Sequence, residues 1–338
     1  MGERLLTVKN LKTYFSLASG TVKAVDGVSF TLDKGEILGI VGESGCGKSV
    51  TASSIIRLLP PKIGNIVDGE INFEGRDVRA LSGKELLKFR GRDISMIFQN
   101  PMTSLDPVFK IGSQMVEMIR THHSEISREE ALKISIEALR KVGIPNPESR
   151  INSYPYELSG GMCQRVIIAM AICCEPKMMI ADEPTTALDV TVQSQVLKLL
   201  RGLQKEKGVA ILMITHNLGI VWEMCDSVMV MYAGKTVEYT SAKELYRNPL
   251  HPYTWGLLDS MPKLSDDTNK RLVAIDGMPP DLRLTGTCCN FYNRCPYASP
   301  ICMEKVPELT ETEPGHFVAC HRQNGKTALK RGKLRRLF

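Results

Sequence analysis

The chain has 338 residues, with 43 Lys and Arg against 37 Asp and Glu for a formal charge of +6; 24% of residues are charged and 43% apolar. That balance excludes disorder, a collagen repeat and a coiled coil, and the length exceeds what one hydrophobic core usually serves, so one large domain with an appended piece, or two comparable domains, is expected. The longest apolar run, Val166 to Cys174, is about half of the roughly 20 residues that cross a bilayer, and MGERLLTVKN has no signal-peptide core, so neither a membrane span nor secretion by that route is expected.

In chain order, LLTVKNLKTYF, VSFTL and EILGIVG predict strands and SVTASSIIRLL a helix, the alternation of an α/β body built on a mostly parallel sheet. From about Ser82 to Glu175 the pattern is mainly helical, and REEALKISIEALRKVGI places Ala131, Leu132, Ile134, Ile136, Leu139 and Val142 close to helical spacing. This stretch reads as a helical insertion. KMMIAD and VAILMIT restore strand character, and VMVMYAGKTVEYT predicts a hairpin turning at Ala233-Gly234. Composition then shifts toward Pro, Cys, His and aromatic residues, which sets a domain of residues 1–240, holding the insertion at about 82–175, apart from an appended module at 241–338. The tail KTALKRGKLRRLF is basic, suited either to solvent or to anionic lipid headgroups.

Gly42-Glu43-Ser44-Gly45-Cys46-Gly47-Lys48-Ser49 matches G-x-x-x-x-G-K-[ST] between the apolar run ILGIV and a helical stretch opening at Val50. Glycines let successive N–H groups turn inward around phosphate oxygens, and the helix aims its positive end at them. Lys48 neutralises the outer phosphates and Ser49 offers a hydroxyl to Mg²⁺. Further on, an apolar strand ends in Asp182 and Glu183, placing Asp182 to hold the metal and Glu183 to polarise an attacking water. Together they predict nucleoside triphosphate hydrolysis.

Between these elements lies Leu158-Ser159-Gly160-Gly161-Met162, ahead of a helical run. With the phosphate loop at 42–49, Gln99 in MIFQNP, KMMIADEP, Ala187-Leu188-Asp189 and His216 in MITHN, the order resembles the ATP-binding cassette (ABC) ATPases of membrane transporters over roughly residues 5 to 240. The resemblance implies a RecA-like P-loop core with an antiparallel β edge and a helical subdomain. It also implies a dimeric engine: Ser159, Gly160 and Gly161 would cap the γ-phosphate bound by the opposite subunit, and ATP would close two cassettes that reopen on hydrolysis. Gln99 would contact metal or attacking water, His216 the γ-phosphate, Asp189 the subunit boundary, and Tyr14 or Phe15 the adenine. Cys163 stands where relatives of this type carry arginine or glutamine, a missing charge expected to bear on pairing or rate.

Five of the ten cysteines fall between Cys288 and Cys320, and Cys289, Cys295, Cys302 and Cys320 give C-x5-C-x6-C-x17-C. With no export signal the thiols are expected reduced or metal-bound, and four of them would stabilise a small loop-rich module by holding either zinc or an iron–sulfur cluster. His251-Pro252-Tyr253-Thr254, LLDSMP, Gly277-Met278-Pro279-Pro280-Asp281-Leu282 and CNFYNRCPYASPIC resemble the C-terminal extension of oligopeptide and dipeptide importer ATPases. That resemblance implies a 4Fe-4S cluster on Cys289, Cys295, Cys302 and Cys320, with Cys288 outside the set. It further implies two integral-membrane permease subunits, a second homologous ATPase (heterodimer or homodimer), an extracytoplasmic peptide-binding protein, and a peripheral position on the cytoplasmic face of the inner membrane. Gln99 and Asn100 to Pro107 would receive the permease. Nickel or another small solute is the alternative cargo; a soluble cassette protein acting on nucleic acid is a rival class, against which the small, dispersed +6 and the HPY extension both argue.

Overall fold

The computed structural model describes residues 2–186, 188–261, 274–323, 329 and 331. Ala187, the last residue of LLDSMP and most of the basic tail lie outside the described residues. Twelve strands occur in the described chain: β1 (Arg4–Leu17), β2 (Gly20–Asp33), β3 (Ile37–Val41), β4 (Gly64–Phe73), β5 (Arg76–Asp77), β6 (Ile94–Ile97), β7 (Met178–Asp182), β8 (Ala210–Thr215), β9 (Ser227–Tyr232), β10 (Lys235–Ser241), β11 (Thr310–Glu313) and β12 (His316–Val318). The chain divides into two compact units, one of Met1–Leu5, Leu32–Ile37 and Ala80–Ile214, the other of Leu6–Thr31, Leu38–Arg79 and Thr215–Phe338.

In the first unit β6, β7 and β8 run parallel, with Ser95 opposite Met179 and Asp182 opposite Ile214. Every residue of β7 and β8 is buried, which is why both read as unbroken apolar runs. β6 lies inside the stretch expected to be mainly helical; four residues are too few to leave a period of their own. Helices Ile111–His122, Arg128–Lys141 and Gly160–Cys173 are the three longest of that stretch. Val116, Ile119 and Ala131 form a core against which Met118, Ile126, Ile134 and Cys173 pack. The buried stripe of helix Arg128–Lys141 is Ala131, Ser135, Ala138 and Leu139, so Ser135 takes a place expected for an apolar residue and Leu132 turns outward, 40% exposed. Ser135 is satisfied by donating its hydroxyl to the Ala131 carbonyl at 2.7 Å, an internal helix bond that makes a polar side chain tolerable in a core.

In the second unit an antiparallel sheet runs in the order β2-β1-β4-β5, with Tyr14 opposite Asn65 and Phe15 opposite Gly64. β3 pairs parallel with β9, and β9 and β10 form the expected hairpin. Its turn places Ala233 at φ 45° and Gly234 at φ 79°, the paired positive φ that a two-residue hairpin requires. Helix Lys48–Ile55 is shorter than SVTASSIIRLL suggested, and Arg57 beyond it adopts φ 54°. The segment after residue 240 is anchored on β10: β12 pairs with it, and Glu238, fully buried, accepts from the N–H groups of Leu250 at 2.7 Å and His251 at 2.9 Å and meets His316 Nε2 at 2.8 Å. Among the described residues no helix is long and apolar enough to cross a membrane.

Candidate functional site

The phosphate loop leaves β3 at Gly42 and enters helix Lys48–Ile55 through Gly47. Gly42 (φ 152°) and Gly47 (φ 107°) have no room for a side chain: a Cβ on Gly42 would lie 2.2 Å from the Met231 carbonyl oxygen, and one on Gly47 2.3 Å from that of Ala24. Lys48 is 6% exposed and its ammonium donates to the carbonyls of Gly42 at 2.8 Å and Glu43 at 3.0 Å, folded back inside its own loop. Cys46 is buried, burial pushes its thiol up, and its sulfur lies 3.9 Å from the Lys48 ammonium, which donates to it. Ser44 and Gly45 are exposed at the loop's tip, while Ser49 and Val50 follow Lys48 in the helix's first turn.

The acidic pair ends β7. Asp182 is 5% exposed at the strand's last position, a buried carboxylate whose donor chemistry suits Mg²⁺. Glu183 follows in the left-handed region at φ 47°, with its N–H on the Ile214 carbonyl at 2.9 Å. Non-glycine residues hold such a conformation only where the surroundings enforce it, a common mark of working sites. Gln99, just beyond β6, donates its amide to Glu183 Oε2 at 2.7 Å, and the Thr186 hydroxyl donates to the same oxygen at 2.9 Å. Sequence reasoning missed Thr186; its signal was its position three residues after Glu183 in a tight turn.

Ser159 caps helix Gly160–Cys173, its hydroxyl accepting from Met162 N–H at 3.3 Å, and Ser159 and Gly160 are exposed at this helix start. A Cβ on Gly161 would press on Val192 at 3.1 Å. Cys163 is fully buried, its thiol donating to the Pro155 carbonyl at 3.4 Å. Asp189 caps helix Val190–Lys207, accepting from Val192 N–H at 2.9 Å. In the second unit His216 is exposed just past β8. Tyr14 donates its hydroxyl to Asp26 at 2.8 Å, and burial, then that carboxylate, pushes it up to about 12. Phe15 packs over Gly64.

No disulfide joins any of the ten cysteines. Cys289 N–H bonds the Cys302 carbonyl at 2.9 Å. Burial pushes the Cys289 thiol up to about 11 and the Cys295 thiol to about 12, and the neighbouring cysteines raise both further. No three of them lie within 4.8 Å of one another; among the described residues the one His, Cys, Asp or Glu group that does is Glu244, Glu313 and His316. Two further residues reach the phosphate loop unpredicted. Tyr253 accepts from Glu43 N–H at 2.8 Å, and Arg294 grips the Glu43 carboxylate.

Comparison with known proteins decides what this arrangement serves. The ABC transporter family profile matches residues 25–186, and that of the oligopeptide/dipeptide transporter C-terminal region matches residues 237–302. A probable peptide ABC transporter ATP-binding protein of Sinorhizobium fredii is 50% identical over 95% of both chains. The chain belongs to the ATP-binding proteins of the oligopeptide and dipeptide ABC transporter family. The oligopeptide transport ATP-binding protein OppD of Bacillus subtilis is 50% identical over 93% of this chain and 88% of its own length, and the dipeptide transport protein DppD of the same organism 48% over 95% and 96%.

The ABC ATPase fold is equally plain. The dimeric post-hydrolysis structure of the ATP-binding cassette MJ0796 bound to ADP and Pi superposes with a TM-score of 0.63 at 26% identity, covering 70% of this chain and 98% of that one. Clostridium perfringens cbiO1, part of the transporter complex cbiONQ, gives 0.61 at 31% identity over 72% and 91%. The expected α/β cassette fold is therefore correct for this family member.

Proposed function

We propose that this chain hydrolyses ATP to drive import of di- or oligopeptides through a membrane permease. The observation that carries the reading is Glu183, a strained carboxylate at the end of a buried strand, held by Gln99 and Thr186, in a chain that also has a sterically closed phosphate loop. The triphosphate sits on the N–H groups of residues 42–50, and Lys48 exchanges its two carbonyl partners for phosphate oxygens. Glu183 takes a proton from water as the water oxygen bonds to the γ-phosphorus; the bond to the bridging oxygen breaks, leaving ADP and phosphate. Ser49, Asp182 and Gln99 are the residues that would hold Mg²⁺, which would offset charge on the outer phosphates. His216 contacts the γ-phosphate, and Tyr14 or Phe15 the adenine.

In this reading a second homologous cassette supplies its own copy of the Ser159, Gly160 and Gly161 helix start to the γ-phosphate, with Asp189 at the boundary, so that ATP joins the two subunits and hydrolysis parts them. The partners are two permease subunits and an extracytoplasmic peptide-binding protein, with the chain peripheral on the cytoplasmic side. Phe98 at 39%, Val108 at 70% and Phe109 at 55% exposure support a permease contact around Gln99 and residues 100–107. The body spans 1–240, with its helical insertion at about 82–175, and the extension 241–338. Cys289, Cys295, Cys302 and Cys320 are the residues of the extension that would hold a 4Fe-4S cluster. Zinc on the same four thiols is the alternative occupant. Such a cluster would supply folding energy to the loop-rich segment.

Two measurements test this. ATP turnover by the chain assembled with its permease in proteoliposomes is expected to rise with peptide and binding protein; a rise with RNA, or with nickel alone, contradicts it. Anaerobically purified protein is expected to be brown with about four iron and four sulfide per chain; colourless protein with stoichiometric zinc overturns the cluster.

A further inference from the structure

We propose that Arg294 and Tyr253, far along the chain from the phosphate loop, are positioning residues for nucleotide binding that act through Glu43; the inference rests on the ATP site described above. Glu43 occupies an unspecified position of the G-x-x-x-x-G-K-[ST] pattern. Its N–H donates to the Tyr253 hydroxyl oxygen at 2.8 Å. Its carboxylate receives Arg294 Nη1 at 2.7 Å and Nη2 at 3.0 Å, a two-pronged charge-assisted pair. Its carbonyl oxygen accepts from Lys48 at 3.0 Å. All three polar groups of one loop residue are thus committed, two of them to the C-terminal region and one to the lysine that meets phosphate.

The clamp is itself held rigidly. The Arg294 side chain is 5% exposed, and its remaining contacts go to the carbonyls of Asp276 at 3.0 Å and Ile275 at 3.1 Å and to the Tyr232 hydroxyl at 3.3 Å. Tyr253 is fully buried, its ring 4.6 Å from that of Tyr232 and 5.4 Å from that of Phe291. Charge gives the arrangement its purpose. A carboxylate on a loop that must receive a triphosphate repels it, and the guanidinium neutralises that carboxylate while fixing the loop's first turn. Arg294 lies in the segment bracketed by Cys289 and Cys295, so whatever orders those cysteines also orders the clamp.

The test is a double-mutant cycle on the full-length chain, read as equilibrium affinity for MgATP and as KM and kcat separately. Arg294→Met is expected to weaken ATP binding and raise KM about tenfold, with kcat at saturation changed less than threefold. Adding Glu43→Gln, which removes the exposed charge, is expected to restore most of the affinity, and Arg294→Lys part of it. A packing role alone would show no such rescue. Tyr253→Phe keeps the ring and removes the hydroxyl, and is expected to weaken binding several-fold at an unchanged melting temperature; it stands as the second measurement should Arg294→Met not fold. Wild-type affinity in Arg294→Met and Tyr253→Phe, or a double variant no better than Arg294→Met, overturns the proposal. Failure of the parent chain to bind ATP, or full binding by Lys48→Ala, would instead overturn the underlying site.

Discussion

The Gln99 amide donates to Glu183 Oε2 at 2.7 Å, so the carboxylate proposed to activate water is oriented before nucleotide arrives. Glu183 is held from below as well, by Thr186 at 2.9 Å and by its own backbone bond to Ile214. Replacing Gln99 by Ala removes one of these constraints and leaves the residues of the phosphate loop unchanged. Turnover is expected to fall about 10- to 100-fold while ATP affinity stays within about threefold, measured as kcat against Kd for a fluorescent ATP analogue.

Lys48→Ala is expected to weaken ATP binding at least tenfold while leaving the melting temperature of the nucleotide-free chain nearly unchanged. The ammonium is bonded to two carbonyls of its own loop, so its loss removes bonds confined to that loop. Titration calorimetry alongside thermal melting separates the two effects.

Gly47→Ala should do more damage than any other single methyl group in the loop's second half. The position has φ 107°, and the added carbon would sit 2.3 Å from the Ala24 carbonyl oxygen. Strain and overlap together are expected to cost about 3 kcal/mol or more of stability and to abolish ATP binding, whereas Gly45→Ala, with open space around it, keeps the fold. Urea denaturation of both variants checks the contrast.

Much of the site was legible because its chemistry constrains short stretches of chain. A glycine at each φ that other residues avoid, a lysine at the loop's end and an acid pair closing a buried strand all leave local traces, and residues 42–49, 159–161 and 182–183 carry them. β6 left none because it is four residues long and gains its place from pairing with β7. Ser135 broke an apolar stripe because its hydroxyl bonds within the helix. The link between Glu43 and Arg294 spans 251 positions, and no local pattern encodes a contact at that separation. The burial of Cys163 left no trace in the LSGGM pattern; it follows from the face that helix Gly160–Cys173 turns inward.

His251 gives the extension a pH dependence of known sign. It caps helix Pro252–Asp259, accepting Tyr253 N–H on Nδ1 at 3.0 Å, and burial lowers its pKa from 6.5 to about 4 despite the nearby Glu238 carboxylate. The unfolded chain therefore binds a proton that the folded chain refuses, and stability held above pH 6.5 is lost as pH falls toward 4, by about 3 kcal/mol from this group. His251→Asn retains the cap without titrating. Its melting temperature is expected to fall less steeply than the parent's between pH 7 and 4; parallel curves would refute the assignment.

The central claim is that hydrolysis at Glu183 powers solute movement, and Glu183→Gln tests it most directly. Proteoliposomes holding the complete transporter are loaded with ATP on the side of the cassettes, and accumulation of labelled peptide is followed together with phosphate release. The account predicts ATP bound at near-parental affinity, phosphate release reduced at least about 100-fold and no peptide accumulation. Peptide accumulating at the parental rate in the Glu183→Gln transporter would contradict it.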